Sequence, residues 1–275
     1  MLLCGICNLM FFYLFNTYLK YESIDIIIIY IYFFAIALFI SLRNEYHITN
    51  VINNYFIING FYNGAINCLI VIMIVYLILL NNFNKIIKVP MFEFLIILLI
   101  ALFSILIIIK SNHLFIIFLF LEILNLCLYC LIGLNKDSNM GIESAYKYFV
   151  QSSFATILGF FGISLIYLSS GTLFLNELNI LINSSMLTYL SSIGIYFIIT
   201  SVFFKLGIFP LHSWLPEIYQ GALLIVLIFF AIVPKIAYVI LFIKLYTVFN
   251  AVVYNYCVYL SFFSVIYGAC ITLYQ

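Results

Sequence analysis

From Phe94 to Ile109 the only polar side chain is Ser104. Apolar runs of this kind, about 20 residues long and able to cross roughly 30 Å of hydrocarbon, recur along the whole chain, and no polar stretch is large enough to fold as a soluble domain. Inside a bilayer every backbone N–H and C=O must be satisfied within the protein, which restricts spanning segments to helices and closed barrels. Barrel strands alternate apolar and polar residues, whereas Ile26-Ile27-Ile28-Ile29 and the run Ile105 to Ile109 do not. The chain therefore reads as an all-α polytopic membrane protein.

Hydropathy places nine transmembrane helices near residues 2–19, 26–42, 62–81, 92–110, 113–134, 146–169, 188–214, 222–246 and 251–274, the seventh of them discontinuous. Residues 1–90 hold the first three and residues 91–275 the fourth to ninth. The opening segment has neither a positively charged start nor a small-residue cleavage site, so it reads as a first span. The asparagine-rich connection from Arg43 to Tyr62 reads as an aqueous loop. The mixed segment Gly171–Ser185 reads as a short helix lying at the membrane interface.

Composition removes several function classes. Of the 275 residues 68% are hydrophobic and 7% charged, with a net charge of +1 and no basic cluster, which argues against nucleic acid or an anionic surface as a partner. Cys4 with Cys7 and Cys127 with Cys130 each form a Cys-x-x-Cys, but the pairs lie far apart in apolar segments without supporting histidines. There is no glycine-rich strand–helix turn and no clustered thiolate set, so no cofactor is expected in this chain. The heavy use of Ile, Phe, Tyr and Asn is the bias of an A/T-rich coding sequence and points to an organelle genome.

Against this background, charges inside spans stand out, because each costs a few kcal/mol or more in the membrane. Glu122 lies between apolar neighbours in Leu114–Leu134, and Lys235 lies well inside the span that begins near Ala222. Lys205 follows a long apolar run and precedes Pro210, which cannot donate a backbone hydrogen bond and breaks or kinks a helix. Broken helices are tolerated at membrane depth where they line a cavity or are buried in protein. Desolvation disfavours both charges and pairing restores them, so a buried Glu–Lys pair changes protonation when a partner moves. That is the chemistry of a proton relay; the alternative is a structural ion pair between helices. His212 is a possible extension of such a relay, and His113 a weaker one. Lys147 at a helix edge has the alternative of snorkelling, and Lys110 and Lys244 near span ends read as interfacial anchors.

These residues sit in a recognisable pattern. The run Phe204-Lys205-Leu206-Gly207-Ile208-Phe209-Pro210-Leu211-His212-Ser213-Trp214-Leu215-Pro216-Glu217, with Pro234-Lys235-Ile236-Ala237 after it, resembles the signature of the antiporter-like membrane subunits of respiratory complex I and of Mrp-type cation/proton antiporters. Leu121-Glu122-Ile123-Leu124 resembles the glutamate-bearing fifth helix of that family, and Glu143-Ser144-Ala145-Tyr146-Lys147-Tyr148-Phe149 the start of the sixth. The context of Lys147 is most similar to the subunit 2 branch, that of NADH:ubiquinone oxidoreductase.

The resemblance implies proton translocation, with Glu122 and Lys205 as a coupled pair, Lys147 beside them and Lys235 as the central relay lysine. It implies a core subunit of mitochondrial complex I in the inner membrane, mitochondrially encoded, contacting lipids and other membrane subunits. Flavin, iron–sulfur clusters and ubiquinone are then expected in those partners. A free-standing Mrp-type Na⁺/H⁺ antiporter subunit is the alternative. Two departures accompany it. Leu223-Leu224 stands where the family has prolines, and the family's further C-terminal helices would follow Gln275, which leads to the expectation of a truncation or of a second polypeptide supplying them.

Overall fold

The computed structural model describes residues 28, 30–36, 49–51, 53–83, 90–134, 139–184 and 189–274. The span expected near 2–19 lies outside the described residues; in the one expected near 26–42, residues 30–36 are helical, with Tyr30 and Phe34 buried.

The connection expected to be a plain aqueous loop contains a hairpin. Strands β1 (Thr49–Val51) and β2 (Phe56–Ile58) pair antiparallel with Thr49 opposite Ile58. Asn53 and Asn54 turn the chain at φ 51° and 67°. Asparagine tolerates the left-handed region better than other residues with a Cβ, because its short side chain bonds to the local backbone. An Asn-Asn pair between stretches rich in β-branched residues is thus a hairpin signal.

The helices that follow are α1 (Gly60–Phe83), α2 (Met91–Lys110), α3 (Leu114–Gly133), α4 (Asn139–Ser170), α5 (Leu175–Asn183), α6 (Tyr189–Leu206), α7 (Trp214–Gly221) and α8 (Leu224–Tyr274). Among the described residues, six of these, α1 to α4, α6 and α8, are long and apolar enough to cross a membrane. The expected short helix within Gly171–Ser185 is α5. Helix α4 begins earlier than the expected residue 146, so Glu143 is helical one turn before Lys147.

The two last expected spans, near 222–246 and 251–274, are two helical segments of α8 that meet at Phe249, whose backbone is non-helical at φ −105° and ψ 16°. Phe242 before it and Tyr256 after it both pack on Phe203 of α6, so the second segment turns back along the bundle. No glycine or proline stands between Tyr246 and Ala251, so the junction of the two segments carries no strong punctuation in the sequence.

Helix α4 is the hub, packing on α3, α6 and α7, and its small residues explain why it accepts three partners. A Cβ on Gly162 would lie 2.6 Å from Gly194 O, and one on Gly194 2.7 Å from Gly162 O, so the backbones of α4 and α6 touch there. A Cβ on Gly159 would collide with the Phe118 ring of α3, and one on Gly221 of α7 with Ser144 of α4. Small residues at crossings are how membrane helices gain close packing where lipid supplies no hydrophobic drive. Helix α8 covers the other side, against α1, α2, α5 and α6.

Candidate functional site

The site is built where α6 stops. Gly207, at φ +75°, takes the left-handed position after the helix. Its N–H donates to Phe204 O (3.0 Å), and the N–H of Ile208 donates to Phe203 O (3.1 Å), the pairing of a Schellman C-cap. A Cβ at Gly207 would also run into Leu215. Turns then lead past Pro210, which follows a cis peptide bond, to α7, where Pro216 sits in the first turn and sacrifices no helical hydrogen bond. The break expected over 188–214 is therefore confined to residues 207–213, and the helix resumes.

The cap leaves the carbonyls of Lys205 and Leu206 without backbone donors. Lys235, from α8, supplies both: its Nζ lies 3.0 Å from Lys205 O and 2.7 Å from Leu206 O. The helix C-terminus carries a partial negative charge, which favours a cation there. The same ammonium lies 5.0 Å from the centroid of the Trp214 ring, which attracts it through its π face. Trp214 is buried between Tyr148 and Phe204 in stacked contacts and donates Nε1–H to Phe204 O at 3.1 Å. The lone tryptophan thereby fixes the broken segment to α4 and α6.

The side chain of Lys205 turns the other way and is 1% exposed. Its Nζ donates to Ser152 Oγ (2.6 Å) and Ser152 O (3.2 Å) on α4. Ser152 Oγ in turn lies 2.5 Å from the Tyr129 hydroxyl on α3. Glu122, on α3, acts electrostatically on Lys205 and on Tyr129 without forming an ion pair with the lysine. Its Oε2 accepts from Asn125 Nδ2 at 3.2 Å. The structure thus places Lys205 and Lys235 at one junction, and the side-chain partner of Lys205 is the Ser152 hydroxyl and not the Glu122 carboxylate expected to be coupled to it.

Two expected residues lie elsewhere. Lys147 is not beside the pair: it bonds Glu143 (2.9 Å) and Glu217 of α7 (3.4 Å) and is 44% exposed. Five residues along a helix rotate about 140°, so a lysine at 147 faces away from the partner of Ser152. His212 lies in the broken segment with its ring against Phe209 and Tyr267, at centroid distances of 5.7 and 4.8 Å, and its Nδ1 is buried without a hydrogen-bond partner. No hydrogen bond joins it to either lysine.

Lys244 was read as an interfacial anchor and is instead 3% exposed. Its Nζ donates to Ile109 O (2.9 Å) and to Ser111 O, and lies 4.9 Å from the Tyr62 ring centroid. It caps the C-terminus of α2 as Lys235 caps that of α6. Residues beyond it bind the same strip: Asn112 N donates to Tyr55 O and Leu175 N to Asn112 O, so the α2–α3 link ties the hairpin to α5. Among the described residues no three His, Cys, Asp or Glu side chains form a metal-sized group; Cys127 and Cys130 are free thiols.

Residues 111–275 match the protein family described as "NADH:quinone oxidoreductase/Mrp antiporter, TM". The chain belongs to this family. Over 205 residues the antiporter-family chain is 33% identical to NADH-quinone oxidoreductase subunit N of Pelagibacter ubique (strain HTCC1062), covering 74% of its own length and 41% of that protein. It spans about two fifths of the length of such curated relatives. Its fold superposes with a TM-score of 0.70 on a chain of respiratory complex I from Thermus thermophilus, at 20% identity, covering 89% of this chain and 53% of that one. A chain of the Mrp complex from Dietzia sp. DQ12-45-1b gives the same TM-score of 0.70 at 14% identity, covering 87% and 47%. The family fold is the antiporter-like helical membrane fold, and the broken helix with its two lysines lies within the matched residues.

Proposed function

We propose that the chain is a proton-conducting membrane subunit of mitochondrial NADH:ubiquinone oxidoreductase, of the subunit 2 type. The observation that carries this reading is the Lys205–Lys235 junction at a helix break, in electrostatic reach of Glu122, inside a chain of this family. A lysine held in a desolvated site releases its proton more readily, and a nearby carboxylate opposes release. A charge arriving from a neighbouring subunit would alter that balance, and Lys205 would pass its proton on while Lys235 holds the backbone turn. On this reading Glu122, Lys205 and Lys235 carry the relay. Lys147, tied to Glu217, sets the position of α7, and His212 is a side branch.

Redox chemistry belongs, on the same reading, to partner subunits that bind flavin, iron–sulfur clusters and ubiquinone. The Ile-, Phe-, Tyr- and Asn-rich composition supports mitochondrial encoding and an inner-membrane location. A second reading, an Mrp-type Na⁺/H⁺ antiporter subunit, is favoured by the equal fold match to the Dietzia Mrp complex chain. Native electrophoresis of mild-detergent extracts with an NADH-dehydrogenase stain and mass spectrometry separates the two. This chain in an NADH-oxidising band supports the first reading; this chain only in a smaller band without that activity supports the second. Lys205→Met in the assembled complex tests the site, and unchanged coupled proton pumping would sink it.

A further inference from the structure

Lys205 and Glu122 form no ion pair, and buried polar groups of α4 and α3 lie next to Lys205 and along the face of α3 that carries Glu122. Ser152 is 0% exposed, Asn125 0% and Tyr129 8%. Glu122, Asn125 and Tyr129 are spaced i, i+3, i+7, so they share one face of α3. Hydrogen bonds join Lys205 to Ser152, Ser152 to Tyr129, and, separately, Asn125 to Glu122. A charged lysine has only donors, so Ser152 Oγ accepts from Lys205 Nζ. Its own O–H is then free to point at the Tyr129 oxygen, 2.5 Å away, and the Tyr129 O–H is left to point onward. One turn along α3, Asn125 donates to Glu122, while its Oδ1 is buried with no protein donor.

We propose that Ser152 and Tyr129 conduct protons between Lys205 and Glu122; this rests on the reading of the chain as a proton-translocating subunit. In one passage an N–H bond of the Lys205 ammonium breaks and its proton goes to Ser152 Oγ. Ser152 loses its hydroxyl proton to Tyr129, which loses its own to water at Asn125, and that water protonates the Glu122 carboxylate. The lysine ends neutral and the carboxyl protonated, with no electron moved. Rotation of the two hydroxyls about their C–O bonds resets the path.

The test uses the complex containing this chain in proteoliposomes, with assembly checked on native gels and proton uptake followed against NADH oxidation. Tyr129→Phe and Ser152→Ala are each expected to slow uptake at least about tenfold, in line with the loss of a positioned proton-transfer group. The double variant should be no slower than the slower single one, because the two groups lie on one path. Ser152→Thr, which keeps the hydroxyl, should restore uptake, and wild-type uptake in Tyr129→Phe overturns the proposal. If Ser152→Ala fails to assemble, Tyr129→Phe and Ser152→Thr decide alone. Uptake that survives Lys205→Met refutes the function itself. Uptake lost in Lys205→Met but intact in Tyr129→Phe refutes only the hydroxyl path.

Discussion

The Nζ of Lys235 lies 3.0 Å from the main-chain oxygen of Lys205, so the side chain of one lysine holds the helical turn that carries the other. The two are thereby coupled through backbone. Anything that draws Lys235 away uncaps the end of α6 and loosens the turn from which Lys205 reaches Ser152.

Replacing Lys235 by Met should therefore act on Lys205. A thioether cannot donate, so the carbonyls of Lys205 and Leu206 lose their partners, and each buried unpaired acceptor costs about 1–3 kcal/mol. The expected result is faster amide hydrogen exchange at Gly207 and Ile208, the two donors of the C-cap, with exchange in α2 and α3 unchanged. Lys235→Arg, which keeps donors and charge, should restore most of the protection. Exchange in Lys235→Met that matches the wild type would show that the cap stands without the lysine.

The helix α4–α6 crossing yields a second prediction. With each glycine's notional Cβ within 2.7 Å of the other's carbonyl oxygen, neither position has room for a side chain. Gly162→Leu or Gly194→Leu should force the helices apart, carry Ser152 away from Lys205 and prevent accumulation of the complex on native gels. Gly64→Ala, where nothing lies within 4 Å of the added Cβ, serves as a control and should assemble normally.

The break was legible in the residues because Pro210 interrupts an apolar run, and Gly207 with Trp214 marks its edges. The ionisable residues inside spans were equally legible, since nothing else in an apolar helix resembles them. Three features were not. Lys244 looked like an anchor because hydropathy put it near a span end; it does lie five residues before the kink at Phe249, but there it is buried against the end of α2. Lys147 looked adjacent to Lys205 because sequence order hides the roughly 140° of helical rotation that separates it from Ser152. Ser152 itself was not singled out, for hydroxyls in apolar helices commonly bond their own backbone. Ser153 and Ser164 do so here, to Val150 O and Phe161 O. The spacing of Glu122, Asn125 and Tyr129 in an otherwise apolar helix was the available signal.

Lys244→Met should destabilise the chain away from the proposed proton path. Ile109 O and Ser111 O lose their donor, and with them the end of α2 that holds the link to the hairpin and α5. The expected outcome is a lower melting temperature of the detergent-solubilised complex and faster exchange at Asn112 and Leu175. Lys244→Arg should recover both. If proton uptake per assembled complex falls in Lys244→Met while melting and exchange stay at wild type, Lys244 has a role other than capping.

The last prediction concerns pH and His113, which precedes the first residue of α3. Burial lowers its imidazole pKa from the ordinary value, and the Glu177 carboxylate partly opposes this. The ring packs on Phe174 and Tyr55 at centroid distances of 4.9 and 5.5 Å, and its Nδ1 is buried without a partner, so the fold favours the neutral form. A depressed folded pKa means the unfolded chain binds the proton first as pH falls. The stabilisation is thus fully present above the unfolded histidine value and is lost as pH drops through it to the folded value. Melting temperature should decline over that window in the wild type, and less steeply in His113→Gln, which has no proton to take up. Glu177→Gln should deepen the decline, since the charge that supports the imidazolium is gone. Parallel melting curves for wild type and His113→Gln across the window would show that His113 is not the group responsible.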